Sequence, residues 1–363
     1  MNVLFISRST LYKDRGGDTV QIENTASSLR ELGLNITIKL TNEKIDYTPY
    51  DLVHYFNIIR PADISGHIKK SNKPYVVSTI FVDYGEYETT QRSGAIGILA
   101  KLVSSDNMEY LKAIGRYVIN GEKINSWSYF LNGHRKSIQS IIRHAGLLLP
   151  NSHSEYERLR LKYNVSAKYR VVPNAIDPER FLNIQTNVYR DPKLVICVGR
   201  IEGRKNQLNL IRALNNTSFK LMIIGSPSAN QVKFYQQCRR EAGSNITFID
   251  QVPQEQLLAY YNSAKVHVLA SWFETTGLST MEAAAMGCNI VITDKGDTRE
   301  YFENYAYYCD PSSPASIFNA IDEASQKPYN DMLRNKILEN FTWHKAAEVT
   351  REAYLELKDA KQE

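Results

Sequence analysis

The stretch Val266–Thr293 constrains this chain more than any other. Val266-His-Val-Leu-Ala270 and Cys288-Asn-Ile-Val-Ile-Thr293 are short apolar runs bounded by small residues. That is the pattern of strands buried on both faces of a parallel sheet. Between them lie a glycine-bearing loop and a predicted helix from Ser279 to Met286, closed by Gly287 where helices end. The start of such a helix offers backbone N–H groups and a positive dipole end, which suits a phosphate. Glu274 in the loop and Glu282 in the first turn frame it. Carboxylates repel phosphate, so if both face the same ligand they hold neutral hydroxyls. A ligand with phosphates and many hydroxyls is a sugar nucleotide.

The same residues fit plainer roles. Ser279 with Glu282 three residues on has the spacing of a capping box, which would spend Glu282 on the helix start. Glu274 fits an ordinary exposed loop residue. Taken together, Glu274, the Gly277-Leu278-Ser279 turn and Glu282 resemble the paired-glutamate signature of the retaining GT-B glycosyltransferases of family GT4, glycosyltransferase group 1. The resemblance implies that Glu274 contacts the sugar and Glu282 the ribose. It implies that the amides of Thr276, Gly277, Leu278 and Ser279 help position the donor.

At 363 residues the chain is long for one domain, and two are expected. A hydrophobic content of 43% and a charged content of 23% are ordinary for a globular protein. The net charge of +5 is too small to argue for nucleic acid and compatible with phosphates or an anionic membrane surface. Cys197, Cys238, Cys288 and Cys309 lack metal-type spacing, and two of them fall inside predicted core strands. Reduced, buried thiols and a cytoplasmic compartment are the expectation. The opening residues lack the features of a signal peptide, and no apolar run reaches membrane-spanning length.

In chain order, Asn2–Ser7 reads as a strand, followed by a polar loop with Gly16-Gly17 and a helix from about Thr19 to Leu32, ended by Gly33. This is a βα unit of nucleotide-binding style. A Gly-Gly pair alone marks a turn. The resemblance implies that this loop faces the donor phosphates and that Gly17 permits close approach. Strands over 35–40, 52–56 and 74–80 continue the alternation, so the first half reads as a doubly wound parallel sheet. Where many family members carry a histidine, this chain has Phe81-Val-Asp-Tyr84. Asp83 and Tyr84 are the acceptor-side candidates; Asp83 equally fits a residue that ends a strand.

Helical patterns follow over 96–102, 108–119 and 127–142. Basic residues there (Arg92, Lys101, Lys112, Arg116, Lys123, Arg135, Lys136 and Arg143) outnumber Asp106, Glu109 and Glu122. They fit either a solvated face on core helices or a surface for anionic lipid headgroups or a lipid-diphosphate acceptor. Gly146–Ser154 reads as a strand running into a helix N-cap. Tyr169–Pro178, broken by Pro173 and Pro178, resembles the family's crossing segment, with Ala175 where a glycine is usual.

The second domain opens with the strand of Lys193–Val198, a glycine turn and a helix from Gln207 to Leu214. Arg200 and Lys205 stand at the strand's carboxyl end, where ligands bind in open α/β sheets. They fit surface cations beside a turn. The resemblance places them on the donor diphosphate, where two cations can neutralise the leaving group. It also implies a close backbone approach at Gly225-Ser226, and base contacts around Val252 and Leu257. Phe341-Thr-Trp343 and the helix after it resemble the closing helix that rejoins the first domain.

The expected fold is therefore α/β of GT-B architecture, two doubly wound Rossmann-like domains facing across a cleft. Residues 1–173 with a closing helix at about 348–363 form the acceptor side, and 174–347 the donor side. The expected reaction is retaining transfer of a hexosyl group from a nucleotide donor, UDP- or GDP-linked, to the hydroxyl of a glycan or lipid-linked acceptor. A setting in bacterial surface polysaccharide or glycolipid synthesis goes with it, in the cytoplasm or peripherally on the membrane's inner face. No Asp-x-Asp motif is present, so no metal or cofactor is expected, Arg200 and Lys205 doing a metal's electrostatic work. A GT-B nucleotide-sugar epimerase and a non-catalytic sugar-nucleotide binder are the alternatives. A nucleotide-linked oxidoreductase is disfavoured, because no dinucleotide fingerprint follows Gly16-Gly17.

Overall fold

A computed structural model describes residues 1–90, 105–120, 127–182 and 189–359. The helix expected over 96–102 lies outside them, as do Arg92, Lys101, Lys123 and Glu122 and the side chains of Lys112 and Arg116. The chain divides into two units: Met1–Ala175 with Trp343–Glu363, and Ile176–Thr342.

In unit 1, buried aliphatic runs make five parallel strands: β1 (Asn2–Ser7), β2 (Asn35–Leu40), β3 (Leu52–Phe56), β4 (Tyr75–Ser78) and β5 (Leu147–Leu149). Their order is β2-β1-β3-β4-β5. The order reverses between β1 and β3, where Val3 pairs with Leu52 and Ile6 with Tyr55. The connecting helices are α1 (Gly17–Glu31), α2 (Pro61–Ser71), α3 (Gly85–Thr90), α4 (Ser105–Asn120), α5 (Trp127–His144) and α6 (His153–Tyr163). Leu4, Ile6, Val53, Val77, Ile138 and Leu148 are fully or almost fully buried in one core. Each such side chain stabilises the fold by about 1.5–3 kcal/mol.

Two local expectations change. The strand expected over 74–80 stops at Ser78, because Ile80 adopts a left-handed backbone with φ 44°. The helix expected over 127–142 contains a break at Gly133, whose φ of 70° only glycine takes easily. Ala175 is not among the positive-φ residues, so its side chain costs nothing where the family prefers glycine.

The C-terminal helix Trp343–Asp359 belongs to unit 1. Tyr354 is buried in it and its hydroxyl lies 2.7 Å from His54 Nδ1, while His54 Nε2 lies 2.8 Å from Ser78 Oγ. At its rim Arg170 pairs with Glu352 and Glu356.

Unit 2 is a six-stranded parallel sheet, β6 (Asp191–Val198), β7 (Lys220–Ile224), β8 (Ile246–Ile249), β9 (Ala264–Leu269), β10 (Asn289–Thr293) and β11 (Tyr307–Cys309), in the order β11-β10-β9-β6-β7-β8. Its helices are α7 (Glu179–Leu182), α8 (Gln207–Leu214), α9 (Val232–Glu241), α10 (Gln254–Ser263), α11 (Leu278–Ala285), α12 (Thr298–Phe302), α13 (Pro314–Gln326) and α14 (Asp331–Asn340). The chain winds from β6 outward to β8, then returns to place β9 on the other side of β6. That reversal opens a crevice at the carboxyl ends of β6 and β9, where open α/β sheets bind ligands. All four cysteines are buried and unpaired. No helix of the described residues is long and apolar enough to cross a membrane.

Candidate active site

Two loops meet at the reversal in unit 2. After β6, Gly199 and Arg200 lead into a short 3-10 turn, Gly203–Lys205. After β9, Ser271–Thr276 lead to α11. Asn206, left-handed at φ 60°, pins the first loop by donating to the carbonyls of Ala270 and Pro311 at 2.9 and 2.7 Å. The Trp272 N–H donates to the Arg204 carbonyl at 2.9 Å.

This tie brings Lys205 and Glu274 together. Lys205 Nζ lies 2.5 Å from Glu274 Oε1, and Ser271 Oγ donates to the same oxygen at 2.6 Å. Glu274 is only 6% exposed, so it is not an ordinary surface loop residue. A carboxylate buried that far needs such partners to offset the cost of leaving water. Nearby, Glu202 accepts from Arg204 at 2.7 Å and lies 3.8 Å from Arg200, which is partly open to solvent. Arg200, Arg204 and Lys205 outnumber Glu202 and Glu274, which leaves this edge net positive.

Helix α11 starts one residue before the predicted Ser279. Its N-cap is Gly277, left-handed at φ 71°, and no side chain caps it. The capping box is absent: Ser279 Oγ donates to the Val198 carbonyl at 2.9 Å, tying the helix start to β6. Glu282 instead accepts from Gln254 Nε2 at 2.8 Å and Tyr261 Oη at 3.1 Å. An uncapped start leaves first-turn N–H groups for an anion. Desolvation pushes Glu282 up to about 7, against the hydrogen bonds from Tyr261 and Gln254 that favour its charge. Burial, reinforced by Lys205, holds His267 at about 3, so that imidazole adds no charge beneath the site.

Gly225 needs to be glycine. Its φ is 143°, and a Cβ there would stand 2.1 Å from the Gly199 carbonyl oxygen. Ser226 follows, its carbonyl accepting from the Ile201 N–H at 3.1 Å and its Oγ from the Gln251 N–H at 3.3 Å. Val252 and Leu257 pack, partly buried, against the core. Thr276 is buried and Leu278 opens α11.

Gly17, Asp83 and Tyr84 belong to unit 1. Gly17 opens α1 behind an extended Gly16, and Arg8 fastens the loop by donating to Asp18, Thr10 Oγ1 and the Asp14 carbonyl. Asp83 Oδ1 accepts from the Gly85 N–H at 2.9 Å, just where α3 begins, and Oδ2 lies 3.6 Å from Lys162 Nζ. That geometry fits a residue that ends one segment and starts the next. Tyr84 is half-buried in the same turn. Of the basic residues noted from sequence, Lys136 and Arg143 are exposed, and Arg135 pairs with Asp106 at 3.0 Å. Among the described residues no group of His, Cys, Asp or Glu could hold a metal ion.

Sequence reasoning missed Ser271, Tyr261, Gln254 and Gly296. The Gly296 backbone, at φ 101°, runs against that of Glu274, and a Cβ there would sit 2.0 Å from the Glu274 carbonyl oxygen. The Glu274 N–H donates to Lys295 O at 3.1 Å, and the Asp297 N–H to Glu274 O at 2.9 Å. A glycine just past the end of β10 was the available signal.

Residues 179–341, nearly all of unit 2, match the family model for glycosyl transferases group 1. A glycogen synthase of Mycobacterium tuberculosis is 27% identical over 205 residues, 53% of this chain and 49% of that one, so the match spans about half of that relative's length. The putative teichuronic acid biosynthesis glycosyltransferase TuaC of Bacillus subtilis is 22% identical over 360 residues, 88% of each chain. Among solved structures, sucrose-phosphate synthase from Thermosynechococcus elongatus covers 99% of this chain and 100% of its own at a TM-score of 0.74 and 16% identity. Anabaena HepE, solved with UDP and glucose, covers 99% of both chains at a TM-score of 0.62 and 13% identity. The second unit thus resembles the glycosyl transferases group 1 over nearly its whole length, and the fold is that of the GT-B enzymes.

Proposed function

We propose that this glycosyltransferase moves a hexosyl group from a nucleoside-diphosphate sugar to an acceptor hydroxyl, with retention at the anomeric carbon and without a metal ion or other cofactor. The observation that carries the reading is the Lys205–Glu274 pair beside the uncapped start of α11, at the reversal of the second sheet. Arg200, Lys205 and the α11 amides hold the diphosphate, and the close approach of Gly225 to Gly199 lets the nucleotide lie near the backbone. Glu274 accepts hydrogen bonds from the sugar hydroxyls and Glu282 from the ribose. The bond from the anomeric carbon to the diphosphate oxygen breaks as charge grows on that oxygen, and the cations stabilise it. The acceptor oxygen bonds to the same carbon on the same face, and its proton leaves with the departing diphosphate.

UDP-glucose is the first donor to try, in view of the UDP and glucose bound by HepE. The name of TuaC, and that of a lipopolysaccharide outer core galactosyltransferase of similar fold, support a glycan or lipid-linked acceptor in surface polysaccharide synthesis. Unit 1 receives that acceptor, and exposed Lys136 and Arg143 suit peripheral contact with an anionic membrane from the cytoplasmic side.

Calorimetric titration with UDP, GDP and ADP, each with and without EDTA, tests the site. One preferred nucleotide, bound equally well with chelator, is expected; no binding by any of them would overturn the reading. Glu274→Ala should then lower kcat by about 100-fold or more while binding the nucleotide nearly as before.

A further inference from the structure

Ile80 is the one β-branched residue among the described positive-φ positions, the other non-glycine ones being asparagines and Glu303. A β-branched side chain is crowded in the left-handed region, and such a conformation persists only where the surroundings over-determine it. Here the surroundings centre on Glu155, in the first turn of α6. Glu155 is completely buried. Its Oε1 accepts from Thr79 Oγ1 and, at 2.7 Å, from the Phe81 N–H, the two residues that flank Ile80. Its Oε2 accepts from the Asn151 N–H at 2.9 Å, and its own N–H donates to Ser152 Oγ at 2.9 Å. One end of the carboxylate is thus anchored at the start of α6 while the other grips the turn after β4. Three donors converge on this side chain, which only an acceptor on both oxygens can satisfy.

A second distortion adjoins the first. Asn57, just past β3, is left-handed at φ 70°, and its N–H donates to Ser78 O, while the Ile58 N–H donates to Thr79 O, both at 2.9 Å. Two neighbouring strands therefore end in left-handed residues on the same carboxyl edge. Strain gathered at a sheet's ligand-binding edge points to presentation of specific groups rather than to packing.

We infer that Glu155 is a positioning residue: its buried carboxylate holds Ile80 left-handed and so fixes where Phe81 to Tyr84 stand at the carboxyl edge of the first sheet. Its part in acceptor binding rests on the proposal that unit 1 receives the acceptor.

Hydrogen exchange over residues 79–84 tests this in the full chain, with UDP titration alongside. Glu155→Gln, which turns an N–H₂ toward one of the three donors, should speed exchange at the Phe81 amide by about tenfold or more, and UDP affinity should stay within about twofold of wild type. Adding Ile80→Gly should cut that acceleration to about threefold or less, because glycine keeps the left-handed turn without help. A merely structural loss would show no such rescue. Unchanged exchange in Glu155→Gln, or no rescue by Ile80→Gly, overturns the inference. Should Glu155→Gln not fold, Ile80→Gly and Ile80→Ala decide, since both remove the side chain beyond Cβ and only glycine takes the left-handed turn freely. The glycine variant must then unfold at the higher temperature, and an equal or lower midpoint overturns the inference. Failure of the wild type to bind any of UDP, GDP and ADP would defeat the donor reading and leave the exchange comparison intact.

Discussion

Lys205 Nζ lies 2.5 Å from Glu274 Oε1, and this contact joins the loops that leave two adjacent strands, β6 and β9. In the function proposed above, the cation that binds the diphosphate is held ready on the carboxylate that binds the sugar. With the donor bound, both partners would gain ligand contacts in the same place.

The pair also predicts how the protein responds to losing half of it. Lys205→Met leaves Glu274 buried with Ser271 but without its cation. Urea unfolding should show a loss of about 2–4 kcal/mol, since a buried charge without its partner is costly. Adding Glu274→Gln should restore at least half of that loss. Equal losses in the single and double variants would mean that the pair is not coupled in solution.

Gly296→Ala and Gly225→Ala should separate chemistry from binding. The first pushes a methyl group into the Glu274 carbonyl and displaces the carboxylate, so kcat should fall by about tenfold or more with little change in UDP affinity. The second forces Gly225 away from Gly199, so UDP affinity itself should drop about tenfold. Both are read by titration and initial rates. The same effect in both variants would dissolve the distinction.

Glu282 makes stability depend on pH. Burial raises its pKa from 4.5 to about 7, so the folded chain holds this proton more tightly than the unfolded one. Its contribution is therefore lost as pH rises from about 4.5 to about 7, by at most about 3 kcal/mol. Glu282→Gln should gain stability relative to wild type across that window and hold the gain above it. His54 and His267, both held near 3 by burial, act in the opposite sense as pH falls below 6.5. They are common to both proteins and cancel in the comparison. A constant difference between pH 5 and 8 would show that Glu282 titrates normally.

Tyr354→Phe should destabilise unit 1 without touching the donor site. It removes the hydroxyl on His54 Nδ1 and leaves a buried ring nitrogen without that partner, a cost of about 1–3 kcal/mol. Thermal unfolding should shift down while UDP affinity stays unchanged. A loss of affinity would be unexpected for a side chain buried inside the other unit.

Much of this was legible in the sequence because strand and helix patterns are local. Apolar runs such as Cys288–Thr293, buried throughout, fix strand identity through side-chain hydrophobicity alone. Alternation of such runs with helices fixes a parallel, doubly wound sheet. The motif residues Arg200, Lys205, Glu274 and Glu282 stand out through their resemblance to the glycosyltransferase motif, their types and spacing alone also fitting plainer roles. What each side chain does was decided by tertiary contacts. Ser279 and Glu282 have the spacing of a capping box. Yet Ser279 bonds to the Val198 carbonyl of β6, 81 residues back, and Glu282 to Tyr261 and Gln254 of α10. Gly296 reveals its purpose only against Glu274, and Ile80 only against Glu155. Periodicity records which face a residue occupies. Only the packed chain sets which distant donor or carbonyl waits there, since a hydrogen bond is decided by tenths of an ångström that no local pattern encodes.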